Sequence, residues 1–222
     1  MKHITILAIA ATTLMACSSK TAEQSLRPDV QVFVDCGVTD AEYSRLMALP
    51  QNDFDQDMDG GWRAIAYKDG CESVAGYLIE DYIEKYAIEP HTNNNILFWH
   101  VGQMHANADN YERAKLFFSK SYQPGLPPEE HGYEWALYAE GTIAFLDKDR
   151  PALEEAIDKL AKIPVDPERI AAVKKMQDEN PNVSFPEGFP EKPLNLIALE
   201  GLLGCFDAPY SQAYGKRCET ED

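Results

Sequence analysis

The sequence predicts an all-α, single-domain fold assembled from helical hairpins. Three observations lead there. Beyond residue 35, segments with apolar side chains at three- and four-residue spacing follow one another, most of them closed by Gly or Pro. Alternating runs of β-branched residues, which mark half-buried strands, are few. Small and aliphatic residues also recur: Gly102, Ala114 and Phe118 are followed 39 residues later by Gly141, Leu153 and Ile157. The same step backward from Ala114 and Phe118 reaches Ala75 and Ile79.

Taken in order, the elements have recognisable starts and stops. Thr39-Asp40-Ala41-Glu42 has the spacing of a capping box and opens "AEYSRLMAL" before Pro50 stops it. "GWRAIAYK" reads as a short helix ended by Asp69-Gly70, with Asp59 or Gly60 as its cap. "CESVAGYLIEDYIEKYA" places Val74, Leu78, Ile79, Tyr82 and Tyr86 on one face and stops at Pro90. In "ILFWHVGQMHANADNYERAKLFFSKSYQPG" a first helix ends near Ala106, and Asp109, with Glu112 three residues on, is the expected cap of a second. "EEHGYEWALYAEGTIAFLDKDRPALEEAIDKLAKIP" repeats that plan with Asp149 as cap. Asp166-Pro167 opens another helix, "PNVSFPEGFPEKP" is a loop, and "LNLIALEGLLGCF" with "DAPYSQAYGKRC" forms a closing pair.

The N-terminus is an address. A short basic start at Lys2 and His3 precedes the uncharged run "ITILAIAATTLMA", too short for a permanent membrane span and suited to a cleaved signal peptide. Its end, Leu14-Met15-Ala16-Cys17, resembles the lipobox of bacterial lipoproteins. That resemblance implies lipidation of Cys17 after removal of residues 1–16, and hence a membrane-lipid partner. Ser18 and Ser19, with no aspartate there, resemble the default for sorting to the outer membrane, facing the periplasm. Residues 17–34 then read as a flexible lipidated tether and 35–222 as the helical domain.

With 37 acidic and 20 basic residues and a net charge of −17, the chain argues against nucleic acid and favours solubility. Setting Cys17 aside leaves Cys36, Cys71, Cys205 and Cys218, an even number that allows three connectivities. Proximity in sequence favours Cys36–Cys71 and Cys205–Cys218.

"HVGQMHANADNYERAKLFFSKSY", with Gly102, Ala114, Phe118 and then Pro124, resembles a tetratricopeptide repeat. The resemblance covers about residues 60–165, with longer spacing than that family's and Leu153 where alanine is expected. It implies an α-solenoid whose first helices line a concave groove for a protein or peptide. Trp99, Gln103, Glu134 and Tyr138 are the expected lining residues. The chain also resembles a group of proteobacterial envelope proteins, without assigned activity, that share "FDQ…GGWR", "W-H-x-G-Q" and "C-F-x-x-P-Y…C".

The densest chemistry lies in "DFDQDMDGGWR". Asp55, Asp57, Asp59 and Gly60 match the start of an EF-hand loop, but Ala66 stands where the bidentate acid belongs. The reading preferred is an acidic turn launching a helix, with Trp62 packed inward and Arg63 answering the aspartates. The alternative is a weak calcium or small-ligand site centred on Asp55–Arg63. His100 and His105, five apart, diverge around a helix, and His100 reads as a core or capping residue. Glu134, Glu140, Glu154 and Glu155 are not paired for acid–base work, and no nucleophile motif occurs. The expectation is therefore a non-enzymatic interaction scaffold without a cofactor.

Overall fold

In the computed structural model, residues 27–91, 96–183, 185 and 188–214 are described. Among these residues there are twelve helices and no strand. The all-α expectation holds at that level.

The N-terminal elements surround a disulfide. α1 (Val30–Asp35) takes up the last five residues of the stretch expected to be tether, 17–34, and runs one residue beyond it. Its Phe33 is buried in a core, and Arg27 grips Asp81 through two hydrogen bonds of 2.8 and 2.6 Å. These two anchors order a segment whose alternating valines look unhelical in sequence. α2 (Asp40–Leu46) starts at Thr39, whose hydroxyl accepts the Glu42 amide at 3.3 Å. α3 (Gln51–Asp55) was not legible in sequence, because it is a single turn begun by Pro50. α4 (Arg63–Ala66) is just as short and has no side-chain cap, so the Asp59 side chain does not cap it, while Gly60 O accepts the Ala64 amide at 3.2 Å. Trp62 takes the cap position and its amide donates to Phe54 O at 3.2 Å, closing the acidic loop. Gly61 adopts φ 54°, and a Cβ there would run into the Phe54 carbonyl.

α5 (Glu72–Lys85) buries Val74, Leu78, Ile79 and Tyr82 as its spacing predicts. Tyr86 departs from that face: it lies beyond the helix, is 46% exposed, and its hydroxyl donates to Met47 O. Cys36 and Cys71, both buried, are joined by a disulfide that ties the α1 end to the α5 start. Cys205 is also disulfide-bonded, whereas Cys218, its expected partner, lies outside the described residues, as does Cys17.

α6 (Ile96–Asn107) and α7 (Tyr111–Lys120) form the central hairpin, and α8 (Tyr133–Leu146) and α9 (Arg150–Leu160) the next. Asp149 caps α9, its carboxylate accepting the Ala152 amide at 3.1 Å. Asp109 does not cap α7. It sits at φ 56°, with its side chain taking the Tyr111 hydroxyl at 3.0 Å, and Asn110 occupies the cap position. α10 (Pro167–Glu179), capped by Asp166, buries none of its side chains and is held through Arg169, which donates to Pro190 O and Lys192 O. α11 (Leu196–Gly204) lies on α8 and α9, and α12 (Tyr210–Ala213) lies on α6.

Two apolar cores result. The first runs from Phe33 to Val101 and includes Phe117; the second runs from Trp99 to Ala213. α6 feeds both, with Leu97, Phe98 and Val101 in the first and Trp99 and Ala106 in the second. α7 does the same through Phe117 and Phe118. This double duty explains why α6 is apolar on nearly every side. The recurring glycines are not packed alike. Gly102 lies against the Phe118 ring, while Gly141 faces Leu199 of α11 and Ala156 of α9, where a Cβ would stand 2.7 and 3.2 Å away.

Candidate functional site

The single turn of α3 turns Asp55 inward, where it is 1% exposed. An ionised carboxylate in such a place needs donors on its oxygens. Three supply them: Trp62 Nε1 at 2.8 Å, His100 Nδ1 at 2.7 Å and Gln56 Nε2 at 2.5 Å. Arg63 adds charge at 3.9 Å and places another nitrogen 3.4 Å from His100 Nε2. A guanidinium only donates, so Nε2 accepts and the imidazole proton sits on Nδ1, facing Asp55. Burial, the largest influence, pushes the Asp55 carboxyl up, but the His100, Trp62 and Gln56 contacts outweigh it and hold the group below its ordinary value.

The three aspartates of the EF-hand-like stretch do not converge. Asp57 and Asp59 are exposed, and Asp57 accepts the Asp59 amide at 3.0 Å within the turn. Among the described residues no group of three or more His, Cys, Asp or Glu is arranged to hold a metal ion. Trp62 is buried in the first core and Arg63 stacks over its indole at 4.2 Å. The arrangement fastens α3 and α4 to α6.

A second carboxylate–imidazole–guanidinium set pins the other side of α6, and it was not among the sequence-based expectations. Glu80 of α5 accepts His105 Nε2 at 2.6 Å and Arg113 Nε at 2.7 Å, with the Arg113 terminal nitrogen on its other oxygen. Burial raises the Glu80 carboxyl most strongly, yet His105 and Arg113 together bring it below the usual glutamate range. His105 and Tyr77 are buried, and among the described residues His105 Nδ1 and the Tyr77 hydroxyl meet no hydrogen-bond partner. Arg113 caps the Tyr77 ring at 4.8 Å. A signal existed in principle: Glu80 and His105 each interrupt an otherwise apolar helix face.

The four residues expected to line a groove divide into two kinds. Trp99 and Tyr138 are 3% and 2% exposed, packed ring on ring at 4.5 Å within the second core, so neither is free to meet a partner. Gln103 and Glu134 are half-buried. What covers this face is the C-terminal pair. The Tyr214 hydroxyl meets the Tyr138 hydroxyl at 2.8 Å, and Gln103 is a polar neighbour of the fully buried Tyr210 side chain. Burial drives the Tyr138 and Tyr210 phenols well above their ordinary value, which keeps both protonated. Trp135 donates to Ser121 O at 2.8 Å and closes the Trp99 cluster from the α7–α8 side.

Set beside family profiles, curated proteins and solved structures, the chain matches none.

Proposed function

We propose that this chain is a lipid-anchored scaffold that faces the periplasm from the outer membrane and binds a protein or peptide partner. The observation that carries the reading is the order of packing. α5 lies on α6, α6 on α7, α7 on α8 and α8 on α9, so helices adjacent in sequence are adjacent in space. That order suits tetratricopeptide-like hairpins, in which the first helices share a binding face. Within it, Gln103 and Glu134 remain as half-buried polar positions, while Trp99 and Tyr138 support the face from beneath. The excess of acid over base favours a partner with basic groups at its rim. Anchoring rests on Leu14-Met15-Ala16-Cys17; among the described residues no helix is long and apolar enough to cross a membrane.

The test uses the native chain carrying a photoreactive residue at Glu134, expressed in cells and compared with an unrelated lipidated protein. A discrete adduct that forms from this position and is absent from the control is expected. An identical adduct pattern from both proteins would sink the scaffold reading. In parallel, Cys17→Ser is expected to move the protein from the membrane fraction to the soluble one. Retention in the membrane fraction counts against the anchor alone.

A further inference from the structure

We infer that residues 27–35 form a releasable clasp that sets how far the domain stands from its lipid anchor, with the Cys36–Cys71 bridge as the stop behind it. The inference rests on the anchoring read from Leu14-Met15-Ala16-Cys17 and gives it two lengths.

Four observations carry it. First, the grip is concentrated in two side chains. The Arg27 guanidinium donates to both oxygens of Asp81 on α5 and lies 5.2 Å from the ring centres of Phe33 and Tyr77. Phe33 is the only α1 side chain buried in the first core; Val30 is 77% exposed, and Gln31, Val32, Val34 and Asp35 also face solvent. Second, α1 has six residues and no side-chain cap, too short to hold itself together in water once that grip is lost. Third, the groups left behind keep partners. Asp81 still receives the Tyr43 hydroxyl at 3.2 Å, and Arg113 still covers the Tyr77 ring at 4.8 Å. Release therefore leaves no carboxylate bare, and its main cost is the withdrawal of one aromatic ring. Fourth, release has a fixed end. Cys36 is buried, bridged to Cys71, and its carbonyl accepts Lys68 Nζ at 2.6 Å, so the chain is held again directly after α1.

The two fixed points define two lengths. Arg27 stands ten positions after Cys17, and Cys36 nineteen. Fully extended, these spans reach at most about 35 and about 65 Å. Opening the clasp therefore nearly doubles the reach of a domain held at Cys17, while both cores and the Asp55 network stay in place. The Arg27 side chain is 43% exposed, so its attraction to Asp81 is open to screening, and rising ionic strength favours the longer form.

Hydrogen exchange on the full-length wild-type protein reads the clasp without any variant. The Cys36 and Val38 amides, bonded to Val32 O and Phe33 O, should exchange about 10-fold faster than the Leu78 amide inside α5. Arg27→Gln should speed both by about a further fivefold, the worth of one exposed ion pair, and leave Leu78 unchanged. Spin labels at the exposed Gln31 and Glu84 should report a short distance in the wild type, joined by a longer population in Arg27→Gln or in about 1 M salt. Exchange of Cys36 and Val38 in step with Leu78 overturns the inference, as does a single unchanged distance in Arg27→Gln. None of these readings depends on the lipid. Retention of Cys17→Ser in the membrane fraction would remove the anchor alone, whereas a clasp that stays shut while Cys17→Ser turns soluble would remove this inference alone.

Discussion

Asp55 and Glu80 are carboxylates withdrawn from water and repaired by imidazole and guanidinium neighbours. Such pairs are costly to break because the partner left behind is also buried. Asp55→Asn is expected to destabilise the fold by about 3 kcal/mol in urea unfolding, since Arg63 and His100 then lose their anion. A loss below about 1 kcal/mol, the value of a surface pair, would show that the network adds little. The pH dependence has a definite sign. Both carboxyls sit below their ordinary values when folded, so their stabilisation is complete above the unfolded-state pKa of about 4. It drains away as pH falls through the folded values. Thermal unfolding followed from neutral pH into acid should show a midpoint that drops steeply below about pH 4, and the drop should be shallower in Asp55→Asn.

At the level of elements, α6 decides most. It contributes to both cores, carries His100 and His105, and meets α7 where Gly102 lies against the Phe118 ring. A methyl at Gly102 has no room unless that ring moves, and Phe118 is itself fully buried. Gly102→Ala is therefore expected to cost about 1–3 kcal/mol despite alanine's better helix propensity, read from the denaturation midpoint. Equal or greater stability would show that the ring yields freely. The helices legible in sequence were those with a long apolar period or a capping side chain, as at Thr39, Asp149 and Asp166. Those that escaped, α1 and α3, are single turns or nearly so, and their order comes from Phe33 and Asp55 meeting distant partners. Asp109 misled for the opposite reason: its spacing to Glu112 is that of a cap, but a left-handed backbone turns its carboxylate to the Tyr111 hydroxyl. Of the site, Trp62 and Arg63 were readable because an aromatic and a cation beside aspartates invite pairing. His100 and His105 were not, because their partners lie 45 and 25 residues away.

Over the whole molecule, the Cys36–Cys71 disulfide belongs to one core alone. Cys36–Cys71 closes a separation of 35 residues, and neither cysteine touches the second core. Replacing both Cys36 and Cys71 by alanine should lower stability by about 3–4 kcal/mol through the loop freed in the unfolded chain. The loss should appear first in α1–α5, as early exchange of Leu46 and Leu78 amides while Leu153 and Leu199 stay protected. Uniform exposure across both cores would mean that α6 and α7 bind the halves into one cooperative unit. A further consequence concerns force. On the proposed anchoring at Cys17, pulling through a bound partner would bring tension into the described residues along α1. The sulfur bridge passes that tension directly to the start of α5, so residues 37–70, with the acidic turn and its buried aspartate, lie outside the stretched path. Under tension, the Asp55 network is sheltered by a covalent shortcut.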